Sequence, residues 1–307
     1  MDLSVVIPTY NEEDNVEKLY SEIVSALGKI KGSKEVIFVD DGSRDKTFEK
    51  LERIAKKDKS VRILKFTRNY GQTAALLAGF QNAKGNVIIS MDADLQNDPA
   101  DIAKLLKKLN EGYDVACGWR FNRKDTFGKR ITSKLSNSLM GFLMDLHIHD
   151  SGCTLRAYKK ETVESLNIYG ETHRYIPAMI AAQGFKVAEV AVNHRERFKG
   201  KTKYGLARIP KGFLDLLTLN FLTTYGSRPV HIFGGIGMAL FGLGFIGGIE
   251  LLYEKFFLKA AIATRPLLTL VLLLVILGVL FVLNGFIAEL LIRTRTNDNY
   301  KIGKIVN

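Results

Sequence analysis

Charged residues become scarce beyond Arg228, and this confines the C-terminal part of the chain to few structures. Residues 231–252 hold one charged residue, Glu250, and residues 266–292 hold only Glu289. Each run exceeds the roughly 20 residues that cross a hydrocarbon core. The second run, PLLTLVLLLVILGVLFVLNGFIAELLI, is apolar nearly throughout; the first, HIFGGIGMALFGLGFIGGIELL, is Gly-rich but long enough. A helical hairpin buried in a large soluble core is the alternative. Gly244 and Gly248 give the first run a small-xxx-small spacing that suits close helix packing, within the hairpin or between protomers of a homo-oligomer.

Ahead of these runs the chain alternates between β-branched stretches and helical spacing. Residues 3–8 (LSVVIP), 35–39 (EVIFV), 86–90 (NVIIS), 114–118 (DVACG) and 185–192 (FKVAEVAV) read as strands. Residues 14–27, 46–57, 73–83 and 101–110 have helical spacing, and 124–144 is basic and amphipathic. This alternation implies βαβ units and an α/β fold with a mostly parallel sheet. Residues 207–225 read as amphipathic helices in the membrane interface, with a core-packed helix as the alternative. Met1 leads straight into the first strand, so no signal peptide is expected. Cys117 and Cys153 are too few for a disulfide framework and match no zinc spacing, which fits reduced thiols facing the cytoplasm.

In open α/β sheets, ligands bind beyond the carboxyl ends of the strands. Three such ends here are polar: Pro8, Thr9, Tyr10, Asn11 and Glu12; then Asp40, Asp41, Gly42 and Ser43; then Met91, Asp92, Ala93, Asp94, Leu95 and Gln96. No G-x-G-x-x-G follows a strand and no P-loop occurs. Asp92 and Asp94, two residues apart on extended backbone, point the same way and repel unless a cation lies between them. Oxygen ligands of this kind, with Gln96 beyond, select Mg²⁺ or Mn²⁺. A turn before Pro99 explains Asp98 alone. Asp40 and Asp41 serve equally well as turn or N-cap residues, and Tyr10 as a core-edge aromatic. Their joint placement at strand ends favours a nucleotide pocket. His147, His149, His173 and His194 have no i, i+4 pairing, so surface or packing roles are expected.

The segments IPTYNEE, VDDGSRD, RNYGQTAALLAGF and MDADLQNDP, in this order, resemble the family 2 glycosyltransferases of GT-A fold. SGCTLRAY, YGETHRYIP and NHRERFKGKTKYG are similar to the polyprenyl-phosphate glycosyltransferases, such as dolichyl-phosphate mannose synthases and undecaprenyl-phosphate glycosyltransferases. The resemblance covers essentially the whole chain and is not specific for the sugar. It implies that Pro8, Tyr10, Glu12 and Asp40 contact base and ribose. By the same resemblance, Asp92, Ala93, Asp94 and Gln96 hold metal and donor diphosphate, and Arg120, Lys129 and Ser133 receive the lipid phosphate. Arg174 matches a basic donor-site position, and Arg197 and Lys203 lie on a loop that closes over the diphosphate. Thr202 stands where the family more often has Ser.

The chain has 44 Lys+Arg against 32 Asp+Glu, a formal charge of +12. Many of the cations cluster: Arg120, Arg123, Lys124, Lys129, Arg130 and Lys134, then Arg195, Arg197, Lys199, Lys201 and Lys203. Lying beside an acidic metal motif and ahead of two spans, they fit phosphate recognition and an anionic membrane face rather than nucleic acid. Processive polysaccharide synthases of the same superfamily carry a Gln-x-x-Arg-Trp motif, which is absent, Trp119 being the only tryptophan. An inactive membrane scaffold that binds nucleotide-sugar is the non-enzymatic alternative, and the intact acidic motif argues against it.

The expected organisation is a GT-A catalytic domain over 1–205, interface helices over 206–229, and spans at about 231–252 and 266–292 within 230–307, ending in a short cytoplasmic tail. Arg208, Lys211 and Arg228 precede the first span and Arg293, Arg295, Lys301 and Lys304 follow the second, against Lys255, Lys259 and Arg265 between them. That bias places the body on the cytoplasmic side of a multi-pass cell-membrane protein.

Overall fold

The computed structural model describes residues 1–120, 148–164, 172–196, 229–259, 261–263 and 265–293, with isolated positions 166, 168, 170, 218 and 221. The basic 124–144 segment and, apart from positions 218 and 221, the 207–225 segment lie outside the described residues. The chain divides into two compact units, Met1–Leu219 and Asn220–Asn307.

The first unit is built on seven strands: β1 (Leu3–Thr9), β2 (Lys34–Asp40), β3 (Val61–Lys65), β4 (Val87–Ser90), β5 (Val115–Trp119), β6 (Arg156–Lys159) and β7 (Val187–Ala191). Its helices are α1 (Val16–Gly28), α2 (Thr47–Lys57), α3 (Gln72–Asn82), α4 (Ile102–Asn110), α5 (Lys160–Glu164) and α6 (Ile176–Ala181). The sheet order is β3-β2-β1-β4-β6-β5-β7. Strands β1 to β4 run parallel, β6 runs antiparallel to β4 and β5, and β5 is parallel to β7.

Alternation along the strands feeds two cores. Val5, Ile7, Val36, Phe38 and Ile89 pack on one face with Leu19 and Ile23 of α1, Leu51 of α2 and Leu105 of α4. Val6, Ile37, Val39, Ile88 and Val115 pack on the other with Leu76 and Phe80 of α3. With both faces covered, the central strands are near-continuous apolar runs. At the sheet's amino edge, buried Glu35 ties four segments together. Its carboxylate accepts hydrogen bonds from Ser4 Oγ (2.6 Å), the Lys84 amide (2.6 Å) and Arg62 Nη1 (3.1 Å).

The parallel strands leave β1 for β2 and β3 on one side and for β4 on the other, so the order reverses between β1 and β4. A crevice at the carboxyl edge follows from that reversal.

The second unit is a helical hairpin, α7 (Pro229–Phe256) and α8 (Pro266–Arg293). Among the described residues, two helices are long and apolar enough to cross a membrane, Pro229–Phe256 and Pro266–Leu291. Gly237, Gly244 and Gly247 of α7 face α8: a Cβ on Gly237 would lie 2.7 Å from the Gly278 carbonyl, and one on Gly244 2.8 Å from Val275. The close helix packing read from the Gly-rich run therefore operates inside the hairpin, with Gly248 only at the margin of that contact. Glu254 and Arg265 form an ion pair beside the connecting loop.

Candidate active site at the carboxyl edge of the sheet

Beyond β1 and β2, two loops are laced together. Ser43 Oγ accepts from the Asn11 amide (3.0 Å), Thr47 Oγ1 from the Glu12 amide (2.8 Å), and Asn11 Oδ1 from the Arg44 amide (2.9 Å). Asn11 sits in the left-handed region at φ 51°. Pro8 lies on β1, with Tyr10 and Glu12 half-buried just beyond it. Asp40 is fully buried; its Oδ1 accepts from the Ser43 amide (3.2 Å), while its Oδ2 is buried and accepts no hydrogen bond among the described residues. A buried acceptor costs free energy until it is satisfied, so this oxygen is ready for a ligand N–H or O–H. Asp41 faces the other way. Its two oxygens accept from the Tyr70 (2.6 Å) and Gly71 (2.9 Å) amides and clamp the turn before α3, while burial raises its pKa. Asp41 is thus the turn-holding residue of the pair.

Strand β4 ends at Ser90 and the chain bends over 93–95, so Asp92 and Asp94 do not share continuous extended strand, with Leu95 left-handed at φ 62°. Their carboxylates still interact. Asp92 is pushed up to about 6, first by burial and then by the charge of Asp94, with Thr154, Arg120 and Arg156 pulling the other way. Asp92 Oδ1 accepts from Gln72 Nε2 (2.8 Å), and its amide donates to Asn97 Oδ1 (3.1 Å). Ala93 is buried between the two acids, and Asp94 Oδ1 accepts from the Gln96 amide (3.2 Å). Asp98 accepts from the Ala100 amide (3.1 Å) and caps the next turn, the role its position before Pro99 implied.

Two close carboxylates that resist simultaneous ionisation suit a divalent cation. Among the described residues no group of three or more His, Cys, Asp and Glu could hold a metal alone. Beyond the two acids, the Gln96 side chain donates from Nε2 to the Arg195 carbonyl at 3.5 Å.

On the far side of β4 stands Arg120, just after β5. Asp150 grips it fork to fork, Nε to Oδ2 at 2.6 Å and Nη2 to Oδ1 at 2.8 Å. This partner lies 30 residues away and left no mark in the motif reading. The 3₁₀ turn Thr172–Tyr175 holds exposed Arg174 beside buried His173. Thr73 Oγ1 donates its one hydrogen to the Gly170 carbonyl (2.7 Å), so its 2.8 Å contact with His173 Nδ1 makes that nitrogen the donor. Burial, helped by Arg174 and Arg156, lowers the His173 pKa to about 3, so the ring is neutral. His173 is a packing residue, as expected. His149 stacks on Trp119 with centroids 4.4 Å apart and pairs with Glu189 at 2.7 Å, a surface role.

The segment after β7 runs along the acidic loop. The Arg195 amide donates to the Gln96 carbonyl (3.0 Å), and the Arg195 guanidinium bridges Glu22 (2.6 Å) and Asp98 (2.8 Å). Lys129, Ser133, Arg197, Thr202 and Lys203 lie outside the described residues, as does His147. Sequence reading did not single out Gln72, Asn97, Asp150 or Arg156. Gln72 lies inside the quoted RNYGQTAALLAGF segment and Arg156 inside SGCTLRAY, but nothing local marks either as a partner of Asp92 or of the site walls.

A doubly wound sheet with an unsatisfied buried acid at one strand end and paired acids at another matches a GT-A glycosyltransferase architecture. The family profile described as "Glycosyl transferase family 2" matches residues 4–166, and the chain belongs to that family. It is 37% identical to dodecaprenyl-phosphate galacturonate synthase of Rhizobium johnstonii, the alignment covering 100% of this chain and 92% of that protein. It is 35% identical to undecaprenyl-phosphate 4-deoxy-4-formamido-L-arabinose transferase of Aeromonas hydrophila, over 99% of this chain and 94% of that one. In fold it is similar to glucosyl-3-phosphoglycerate synthase of Mycobacterium tuberculosis, solved with Mn²⁺, UDP and phosphoglyceric acid. The TM-score there is 0.57 at 19% identity, over 71% of this chain and 78% of that chain.

Proposed function

We propose that the chain transfers a sugar from a nucleotide-sugar, of GDP-mannose or UDP-glucose type, to a polyprenyl phosphate, with inversion at the anomeric carbon. The observation that carries this reading is the placement of three groups on one sheet edge. They are the unsatisfied Asp40 oxygen, the Asp92–Asp94 pair and the Asp150-held Arg120. Likeness over the full length to enzymes named for dodecaprenyl and undecaprenyl phosphate supports a polyprenyl acceptor. Those relatives are named for galacturonate and a formamido-arabinose, which widens the donor beyond glucose and mannose.

The acceptor is a phosphate monoester with a second pKa of about 6, so near neutral pH it is already a nucleophile and needs no strong general base. The harder task is to bring two anions together. Tyr10, Glu12 and Asp40 bind base and ribose; Asp92, Asp94 and Gln96 are the residues that would hold Mg²⁺ or Mn²⁺ on the donor side. A bound divalent ion offsets charge on the leaving nucleoside diphosphate. Arg120, with Lys129 and Ser133, receives the lipid phosphate, and Arg174, Arg197 and Lys203 flank the diphosphate. Displacement then runs in line, with the sugar positioned between two sets of fixed charges. The spans hold the protein in the cell membrane, with the catalytic domain over 1–205 on the cytoplasmic side.

The test is a panel of radiolabelled nucleotide-sugars with undecaprenyl and dolichyl phosphate, Mg²⁺ and Mn²⁺, scoring label carried into the organic phase. GDP-mannose, UDP-glucose and the nucleotide-activated forms of galacturonate and 4-deoxy-4-formamido-L-arabinose belong in it. One donor giving an acid-labile lipid product of inverted configuration is the expected result. Nucleotide binding with no transfer from any donor would favour an inactive scaffold, and a retained configuration would overturn the single displacement.

A further inference from the structure

Arg156 opens β6 and is buried, 3% exposed, where it pairs with Ser90 of β4 and Cys117 of β5. It forms no ion pair among the described residues, and its Nε is buried without a hydrogen-bond partner there. Its charge reaches Asp92, whose pKa it helps to lower, but no carboxylate bonds it among the described residues, and a buried guanidinium so placed is costly enough to call for a reason beyond packing. Besides an interaction with the Tyr158 hydroxyl on the same strand, its donors reach main-chain carbonyls on two separate segments. Nη2 donates to the Ser151 carbonyl at 2.6 Å, and Nη1 donates to the His173 carbonyl at 3.0 Å, with Arg174 O 3.4 Å from Nη2. The first segment carries Asp150, which orients Arg120; the second carries Arg174.

We propose that Arg156 is a positioning residue for the transfer reaction, fixing the acceptor-side wall of Asp150 and Arg120 at a set distance from the donor-side wall of Arg174. The inference rests on the transferase reading above. The planar fork suits the task because it delivers parallel N–H bonds to oxygens on two segments at once, whereas a lysine ammonium has no such fork. The two bonded segments flank the start of β6, the one antiparallel strand in the sheet interior, so their separation is set where Arg156 enters rather than by strand register. Gly152 leaves the guanidinium of Arg120 room beside this wall, since a Cβ there would come within 3.1 Å of Nη2.

The experiment uses the full-length chain in detergent. UDP and GDP with Mn²⁺ serve as non-reacting probes, and undecaprenyl phosphate with the donor selected by the panel serves for turnover. R156K keeps the charge and loses the fork; R156M loses both. Both are expected to unfold cooperatively, with kcat/KM down about 10²-fold, the loss expected from roughly 1 Å of misplacement. The KM for lipid phosphate and the Kd for the nucleotide should rise together, with R156K the milder variant. D150N, which touches one wall only, should raise the lipid-phosphate KM and leave the nucleotide Kd unchanged. Should R156M fail to fold, R156K carries the test. Wild-type constants in a folded Arg156 variant would overturn the proposal, as would a rise in one constant alone. Should the wild type transfer nothing, the transferase reading falls and the bridge is decided by the nucleotide Kd of R156K. A wild type that binds neither nucleotide overturns both.

Discussion

Asp94 and Asp92 divide one task. Asp94 is nearly buried on a bend beside Asp92, and Asp92 is the acid whose affinity for protons rises, first through burial and then through the Asp94 charge. On the proposed metal assignment, removing Asp94 takes away one of the two carboxylate ligands. Turnover of D94A should drop by about 10²–10³-fold or more with Mg²⁺ and with Mn²⁺ alike, measured in the organic-phase assay. Metal and proton also compete for Asp92. Above pH 6 the carboxylate is ionised and would be open to the ion; as the pH falls through about 6, the proton occupies it. The Mn²⁺ affinity, read by titration calorimetry, should therefore be level above pH 7 and weaken towards tenfold per pH unit below about 6. An affinity that stays level down to pH 5 would count against Asp92 as a ligand. Adjacent Asp40 and Asp41, indistinguishable as residue types in the sequence, separate here because one has a spare buried oxygen and the other is fully spent on two amides.

The elements divide into a stabilising edge and a working edge. Glu35 belongs to the first: hydrogen bonds from Ser4 and Lys84, together with Arg62, outweigh the burial that opposes ionisation and hold its pKa below the ordinary value. A lowered folded pKa means stability that is present above the unfolded value, near 4.3, and lost as the pH falls through the folded one. E35Q should cost about 1–3 kcal/mol at neutral pH, lowering the thermal midpoint of the full chain by several degrees. It should also flatten the acid limb below about pH 4 and leave kcat untouched. In the hairpin, a Cβ on Gly278 would meet the Phe241 amide nitrogen at 2.7 Å, so G278V forces α7 and α8 apart. Its unfolding midpoint in detergent should fall, whereas A239V, on an exposed position of α7, should not change it. Five strands and four helices were legible from periodicity. Strands β3 and β6 were not, because VRILK alternates charges at a sheet edge and RAYK is four residues long with an arginine turned inward.

For the whole molecule, the proposed topology, argued from the two apolar helices and the bias of Lys and Arg around them, puts the loop at 257–265 on the side opposite the catalytic domain. Cys117 and Cys153 are buried and their thiols are pushed up to about 12 and about 11, chiefly by burial, so the native background to thiol labelling is low. K259C should react with a membrane-impermeant maleimide in intact cells, and K59C only after lysis; the reverse pattern would invert the topology. The sequence alone determined what depends on near neighbours: strand–helix alternation, acidic strand ends and two runs too apolar for water. These are written in periods of two and 3.6 residues and in unbroken hydrophobic length. Only the tertiary structure decided which acid is spare, that Gln72 reaches Asp92 across 20 residues, and that Asp150 holds Arg120 across 30. The strand order leaves chain order between β1 and β4, and β6 enters antiparallel, so these partners meet through the sheet and carry no local pattern to read.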